Sequence, residues 1–198
     1  MLTAFRNCML PSLVGKDMQL SYVVPDIDEA MRFWTTQLEV GPFVVIEDAA
    51  ADRVVVYRGR RTRVKMSLAF AYVAEMQIEL ISATSSDPSP WTDFLQSGRQ
   101  GLHHLGFWPE DYDHSVLALE QMGFVRECSI ETVDGSVSSN YFSGPPYFGV
   151  WVELAPNTPT RNNYFAGIKA LSERWDGSRA IRRFKSRDEF LASDDCKS

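Results

Sequence analysis

Three cysteines in 198 residues, widely spaced and without a CxxC pair, supply neither a thiolate metal site nor a disulfide framework. Cys8, Cys128 and Cys196 therefore read as structurally ordinary residues of a reducing compartment. Nowhere do about 18 apolar residues run together, so no membrane partner is expected. The opening MLTAFRNCMLPSLVG has a single arginine and a short apolar patch broken by Pro11, too little for the apolar region of a signal peptide. Positive charge is scarce as well. A net charge of −6 argues against nucleic acid, whose binding depends on lysine and arginine neutralising phosphates. These absences leave a soluble, cytoplasmic protein with a small-molecule partner. Histidine is rare too, with three in the chain, and two of them are adjacent.

What is present is a core-forming composition, 44% hydrophobic and 23% charged, enough for one compact domain or two small modules sharing a core. Residues 1–16 have no clear periodicity and read as an N-terminal arm. From Met18 to Val24 apolar residues alternate, with Met18, Leu20, Tyr22 and Val24 on one face and Gln19, Ser21 and Val23 on the other. Pro25 ends this strand. Asp26 and Glu29 then resemble a capping box, and Ile27, Ala30, Met31, Trp34 and Leu38 keep helical spacing as far as Gly41-Pro42. Strands are expected at 43–47, 53–58, 64–73 and 76–82, with Arg58 to Arg63 as a hairpin turn.

After a connector at 83–100, with a short helix near Trp91 to Gln96, the pattern restarts. A strand at 102–108 leads through Pro109 and Asp111 into a helix striped by Tyr112, Val116, Leu119 and Met122, which stops at Gly123. Gln19 and His104, Asp26 and Asp111, and Asp28 and Asp113 are each 85 residues apart, so three coincident offsets mark a repeat. Strands near 124–133, 137–142 and 148–154 complete it. The expected architecture is α+β. Two tandem βαβββ modules, 17–82 and 101–155, form a curled mixed sheet around a metal site, and a helical tail occupies 156–198. That tail reads first as packing against the modules or a dimer mate, and otherwise as a lid over a pocket.

Alternation also selects the chemistry. In 102–108, His103 shares a face with Leu105 and Phe107, while His104 faces the other way with Gly106. Glu153 opposes Val152 and Leu154, and Glu79 opposes Ile78 and Leu80. Each half thus offers one polar residue from its first strand and one glutamate from its last, on faces opposite the helix-packed core. If those faces meet, Gln19, Glu79, His104 and Glu153 converge. One imidazole, one amide oxygen and two carboxylates suit a hard or borderline divalent ion with two open positions, and two glutamates offset its charge. Read singly, each would be an ordinary polar residue on the wet face of a sheet. His103 is assigned to structure or the pocket rim, and His114 to an exposed helix face.

The motifs GLHHLGF, VPDIDEA, QIELI and GVWVEL resemble those of the vicinal oxygen chelate superfamily (glyoxalase, bleomycin-resistance protein, extradiol dioxygenase) over about residues 17–156. They are most similar to methylmalonyl-CoA epimerase and its glyoxalase-like relatives. The resemblance implies one divalent metal ion, with Co, Mn, Ni, Mg, Fe and Zn not distinguished, held by Gln19, Glu79, His104 and Glu153. Gln19 stands where typical epimerases have histidine, and the resulting set is similar to that of glyoxalase I. Val64 to Tyr72 lacks the further acidic residue that epimerases of this kind carry. An extradiol dioxygenase would need a histidine at Gln19.

The leading expectation is a metal-dependent epimerase or isomerase in which Glu153 removes a proton next to a carbonyl, Glu79 serves the opposite side and the ion stabilises the enolate. Alternatives are a glyoxalase I-like lyase and a non-catalytic binding or sequestering protein. Trp151, Gly106 and Ser21 are candidate substrate-binding residues, and Tyr141, Phe142, Tyr147 and Phe148 flank the closing strand. The substrate would be an acyl-CoA or an apolar carbonyl compound. Arg58, Arg60, Arg61, Arg63 and Lys65 could grip a phosphate or carboxylate. A homodimer is implied.

Overall fold

The computed structural model describes residues 18–197; the arm expected over 1–16, Cys8 included, lies outside the described residues. The first half comprises β1 (Met18–Val23), α1 (Ile27–Gln37), β2 (Phe43–Ile46), β3 (Arg53–Tyr57), β4 (Arg60–Thr62), β5 (Met66–Val73) and β6 (Met76–Ala83). After α2 (Pro90–Gln96) the second half runs β7 (Gly101–Phe107), α3 (Tyr112–Gln121), β8 (Val125–Thr132), β9 (Val137–Ser143) and β10 (Trp151–Leu154). The tail holds α4 (Pro159–Glu173), β11 (Ile181–Phe184), α5 (Arg187–Ala192) and α6 (Asp194–Lys197). No helix among the described residues is long and apolar enough to cross a membrane.

Local chemistry starts each repeat in the same way. Asp26 caps α1 by accepting from the Asp28 and Glu29 amides, and Asp111 caps α3 by accepting from the His114 amide, so the repeated aspartates satisfy otherwise unpaired helix donors.

One mixed, curled and unclosed sheet orders its strands β11-β2-β5-β6-β1-β7-β10-β9-β8-β3-β4. The first strands of the two halves pair antiparallel in the middle, and on either side the sequence is first, last, third, second. The two halves are thus related as the repeat expects. Two features differ from expectation. The basic turn does not join β3 to the strand ending at Val73. Arg58 and Gly59, at φ 48° and 74°, form a two-residue turn into the short β4, since left-handed geometry at both positions matches strand twist. This hairpin leaves its own half and extends the sheet beyond β8. The tail is also not wholly helical: its basic stretch includes β11, which pairs parallel with β2. All four β2 residues are buried, so its open edge needs a partner for its backbone groups.

Alternate residues of the same strands feed different cores. Phe43, Val45, Ala69 and Ala71 pack with Met31 of α1, while Val44, Ile46, Leu68 and Phe70 pack with Tyr164, Ile168 and Leu171 of α4. The first half of the sheet is therefore covered on both faces, by α1 outside and the tail inside. In the second half Phe107, Val152 and Leu154 pack with Leu119 of α3, leaving Glu153 on the inner face. The tail walls the interior, with Tyr164 and Ile168 3% and 0% exposed.

Candidate metal centre

Register brings the polar set together. In the parallel pairing of β1 with β6, Ser21 lies opposite Glu79, and in that of β7 with β10, Gly106 lies opposite Glu153. Ser21 and Gly106 are themselves 85 residues apart, so the two glutamates occupy equivalent places. Antiparallel pairing then sets Gln19 against Gly106 and Ser21 against His104 across the middle of the sheet.

His104, with no exposure, aims Nε2 at both acids, 3.2 Å from Glu153 Oε2 and 3.6 Å from Glu79 Oε2. One donor atom from each of these three residues falls within 4.8 Å of the others. Gln19, 2% exposed, joins them through Ser21, whose hydroxyl contacts Gln19 Oε1 at 3.1 Å and also meets Glu79 Oε2. The Gln19 amide is oriented from behind. Its Nε2 donates to Gln77 Oε1 at 2.5 Å, and Gln77 Nε2 donates to the Tyr72 hydroxyl at 2.8 Å, which leaves Oε1 on the side of the acids. Tyr141 donates to Glu153 Oε1 at 3.0 Å.

The double histidine does not alternate as expected. Pairing of β1 with β7 steps from Ser21–His104 to Tyr22–Leu102, so His103 is the extra residue of a β-bulge. The bulge turns both rings to one side, with their Nδ1 atoms 3.0 Å apart. His103 is held neutral, its pKa well below the usual value because of burial, the neighbouring His104 charge and Arg99; the Pro90 backbone accepts from its ring. With Nδ1 facing His104, the nitrogen that donates to Pro90 is Nε2, and neutral His103 then presents a bare Nδ1 to His104. The network thereby sets a His104 Nδ1 proton toward His103, while His104 Nε2 lies within hydrogen-bond distance of Glu153. An imidazole nitrogen and two acids converge within 4.8 Å of one another, so the residues present fit a divalent ion that would take the place of a proton between them.

The two acids differ in proton affinity. Burial, and then the charge of Glu153, raise the Glu79 pKa to about 8 against the lowering effect of Ser21 and Arg187. Burial also acts to raise Glu153, but the hydrogen bond and charge of His104, with Arg161 and Ser139, outweigh it and hold that carboxyl below the usual range.

Gln19, Glu79 and Glu153 line a cavity of about 540 Å³. Met66, Leu68 and Phe70 of β5 form an apolar wall where the epimerase resemblance implies an acid. The expected substrate-binding residues sit elsewhere. Ser21 is wholly buried and bonded within the polar cluster. At Gly106 a Cβ would meet Gln19 Oε1 at 2.6 Å, so this glycine provides room for the amide. Trp151 packs beside His103, ring centroids 5.5 Å apart. The basic hairpin is likewise turned away from the cavity: Arg58 pairs with Asp93 and Glu127 and lies over the Tyr57 ring. In its place the tail contributes Arg161, Tyr164 and Arg187. No repeat partner marks these three; the one local signal is the apolar spacing of Tyr164, Ile168 and Leu171 on α4, which marks a face that must be buried.

Among curated proteins none matches this chain by sequence. Among solved structures, methylmalonyl-CoA epimerase from Mycobacterium tuberculosis is similar at TM-score 0.52 and 20% identity, covering 82% of this chain and 96% of its own. A hypothetical protein from Bacillus halodurans C-125 is similar at 0.51 and 20%, covering 72% and 96%. A Streptomyces coelicolor methylmalonyl-CoA epimerase variant in complex with 2-nitronate-propionyl-CoA is similar at 0.51 and 14%, covering 74% and 96%. Identities this low establish a shared fold. The profile of the Glyoxalase/Bleomycin resistance protein/Dioxygenase superfamily matches residues 18–137, more than half of the sequence, and on that ground the chain belongs to this superfamily.

Proposed function

We propose that this protein is a metal-dependent epimerase or isomerase that moves a proton on the carbon next to a carbonyl. The observation that carries this reading is the pair of glutamates, at matching register positions in the two halves, that converge on His104 Nε2. Gln19 Oε1, Glu79, His104 and Glu153 would hold the ion, and His103 would orient the His104 ring through Nδ1. A divalent ion bound there supplies a Lewis acid for the negative charge that develops on the substrate's oxygens.

The rest is done by side chains. Glu153, kept unprotonated by His104 and Arg161 and oriented by the Tyr141 hydroxyl, accepts the proton at a carboxylate oxygen. A ligand can take this part only by loosening when the substrate binds. Glu79, at the matching place in the other half, would face the opposite side of the substrate and return the proton from there. Met66, Leu68 and Phe70 exclude water and suit the hydrocarbon part of an acyl-CoA or another apolar carbonyl compound.

A glyoxalase-type lyase is the second reading, supported by the Gln19 amide that Gln77 holds in place. The test is elemental analysis together with deuterium uptake from heavy water by acyl-CoA and 2-oxo compounds. Uptake at the same carbon with a stoichiometric divalent ion is the expected result, and proton transfer to the neighbouring carbon would favour the lyase. A protein that takes up no divalent ion and catalyses no exchange would be a binding protein instead.

A further inference from the structure

The tail's arginines fall into two groups. Arg179 and Arg182 pair with Asp195, and Arg183 pairs with Asp28 and Glu47. Arg161 and Arg187, which line the cavity, form no ion pair among the described residues. Arg161 donates to the Pro156 carbonyl at 2.6 Å and the Ser138 carbonyl at 2.8 Å; Arg187 reaches the Ala49 carbonyl at 3.4 Å. Neutral carbonyls orient a guanidinium but do not cancel its charge, and each fork keeps free N–H groups. The remaining acids of the cavity wall are otherwise occupied. Asp52 pairs with Arg53, Asp188 is exposed, and Glu79 and Glu153 face His104. Tyr164, 3% exposed, also lines the cavity, and its buried hydroxyl has no hydrogen-bond partner among the described residues. A buried hydroxyl left without a partner is expensive, and a ligand oxygen in the cavity would satisfy it.

Resting on the proposed metal-dependent reading, we propose that Arg161, Tyr164 and Arg187 form an oxyanion subsite. The substrate then carries a carboxylate or phosphate group in addition to the oxygens that face the metal centre. Neither arginine has a carboxylate within ion-pair distance among the described residues, with or without a metal ion, and an anionic substrate is the species that balances them. All three residues lie in the tail, beyond the superfamily match at 18–137.

The test is calorimetric titration with malonate and, separately, inorganic phosphate, on protein stripped of metal by chelation and on protein loaded with Mn(II). At least one of the two anions is expected to bind the stripped protein, and the better binder identifies the anionic group. Arg161→Gln and Arg187→Gln should each weaken that anion by about tenfold or more, and Tyr164→Phe by about threefold to tenfold, in both forms. Arg161 also ties the tail to the sheet, so Arg187→Gln and Tyr164→Phe keep the experiment decisive if Arg161→Gln does not fold. Unchanged affinity in those two variants, or no binding of either anion to the stripped protein, would overturn the subsite. Failure of the metal reading would show separately, as no uptake of Mn(II) by wild-type protein.

Discussion

Glu79 and Glu153 hold the same register position in their halves, opposite Ser21 and Gly106, but their surroundings pull them apart. Around Glu153 gather a histidine at 3.2 Å, a tyrosine hydroxyl at 3.0 Å and the charge of Arg161. Glu79 has a serine hydroxyl, a more distant histidine and an apolar strand opposite, with Phe70 as its cross-strand neighbour. A repeated backbone therefore presents two chemically distinct acids. Such a difference is what a site needs to remove a proton on one side and return it on the other.

The strongest way to break this comparison is to neutralise each acid in turn. Glu153→Gln should lower α-proton exchange by about 10²–10⁴-fold, the range for a lost general base. Glu79→Gln should abolish epimerisation while one enantiomer of the substrate still exchanges its proton with heavy water. Equal loss of exchange for both enantiomers in both variants would show that the acids are not divided in role. A smaller effect is expected at the bulge. His103→Ala removes the ring nitrogen that orients the His104 imidazole, and divalent-ion affinity measured by competition with a chelating dye should fall by about 10–100-fold.

The pH dependence of stability sharpens the same contrast. In chelator-treated protein the raised Glu79 pKa means that the folded state binds a proton more tightly than the unfolded chain. Between the ordinary carboxyl value of 4.5 and about 8 the folded state holds more protons, so stability falls as pH rises through that window and levels above it. Thermal melts should show this slope in the wild type and lose it in Glu79→Gln. A slope that persists in the variant would assign it to another group.

Much of this centre was legible because strand alternation and an 85-residue offset are both written in residue identity. Gln19, Glu79, His104 and Glu153 stand opposite the apolar positions of their strands, and the structure brings them together. The bulge at His103 was not legible, since one extra residue in a strand changes the facing of its neighbours without changing their chemistry. Neither was the crossing of the β3–β4 hairpin to β8: Arg53 to Tyr57 reads as a strand whichever edge it joins. Arg161, Tyr164 and Arg187 lie in a tail with no repeat partner, and only tertiary packing shows which of its many arginines face inward.

The smallest expected effect tests whether Gly106 serves the Gln19 side of the comparison. Its backbone does not require glycine, because its φ is not positive, so alanine is penalised by space alone. The added Cβ would lie 2.6 Å from Gln19 Oε1 and 3.2 Å from Gln19 Cβ, and the amide has to swing aside, breaking its bond to Gln77. Gly106→Ala should therefore weaken divalent-ion binding by about threefold to tenfold, less than the loss at His103, because one neutral ligand is displaced while both carboxylates and the imidazole remain. Gln19→Ala in the Gly106→Ala background should add nothing further. Independent, additive losses in the double variant would show that the glycine acts through some group other than Gln19.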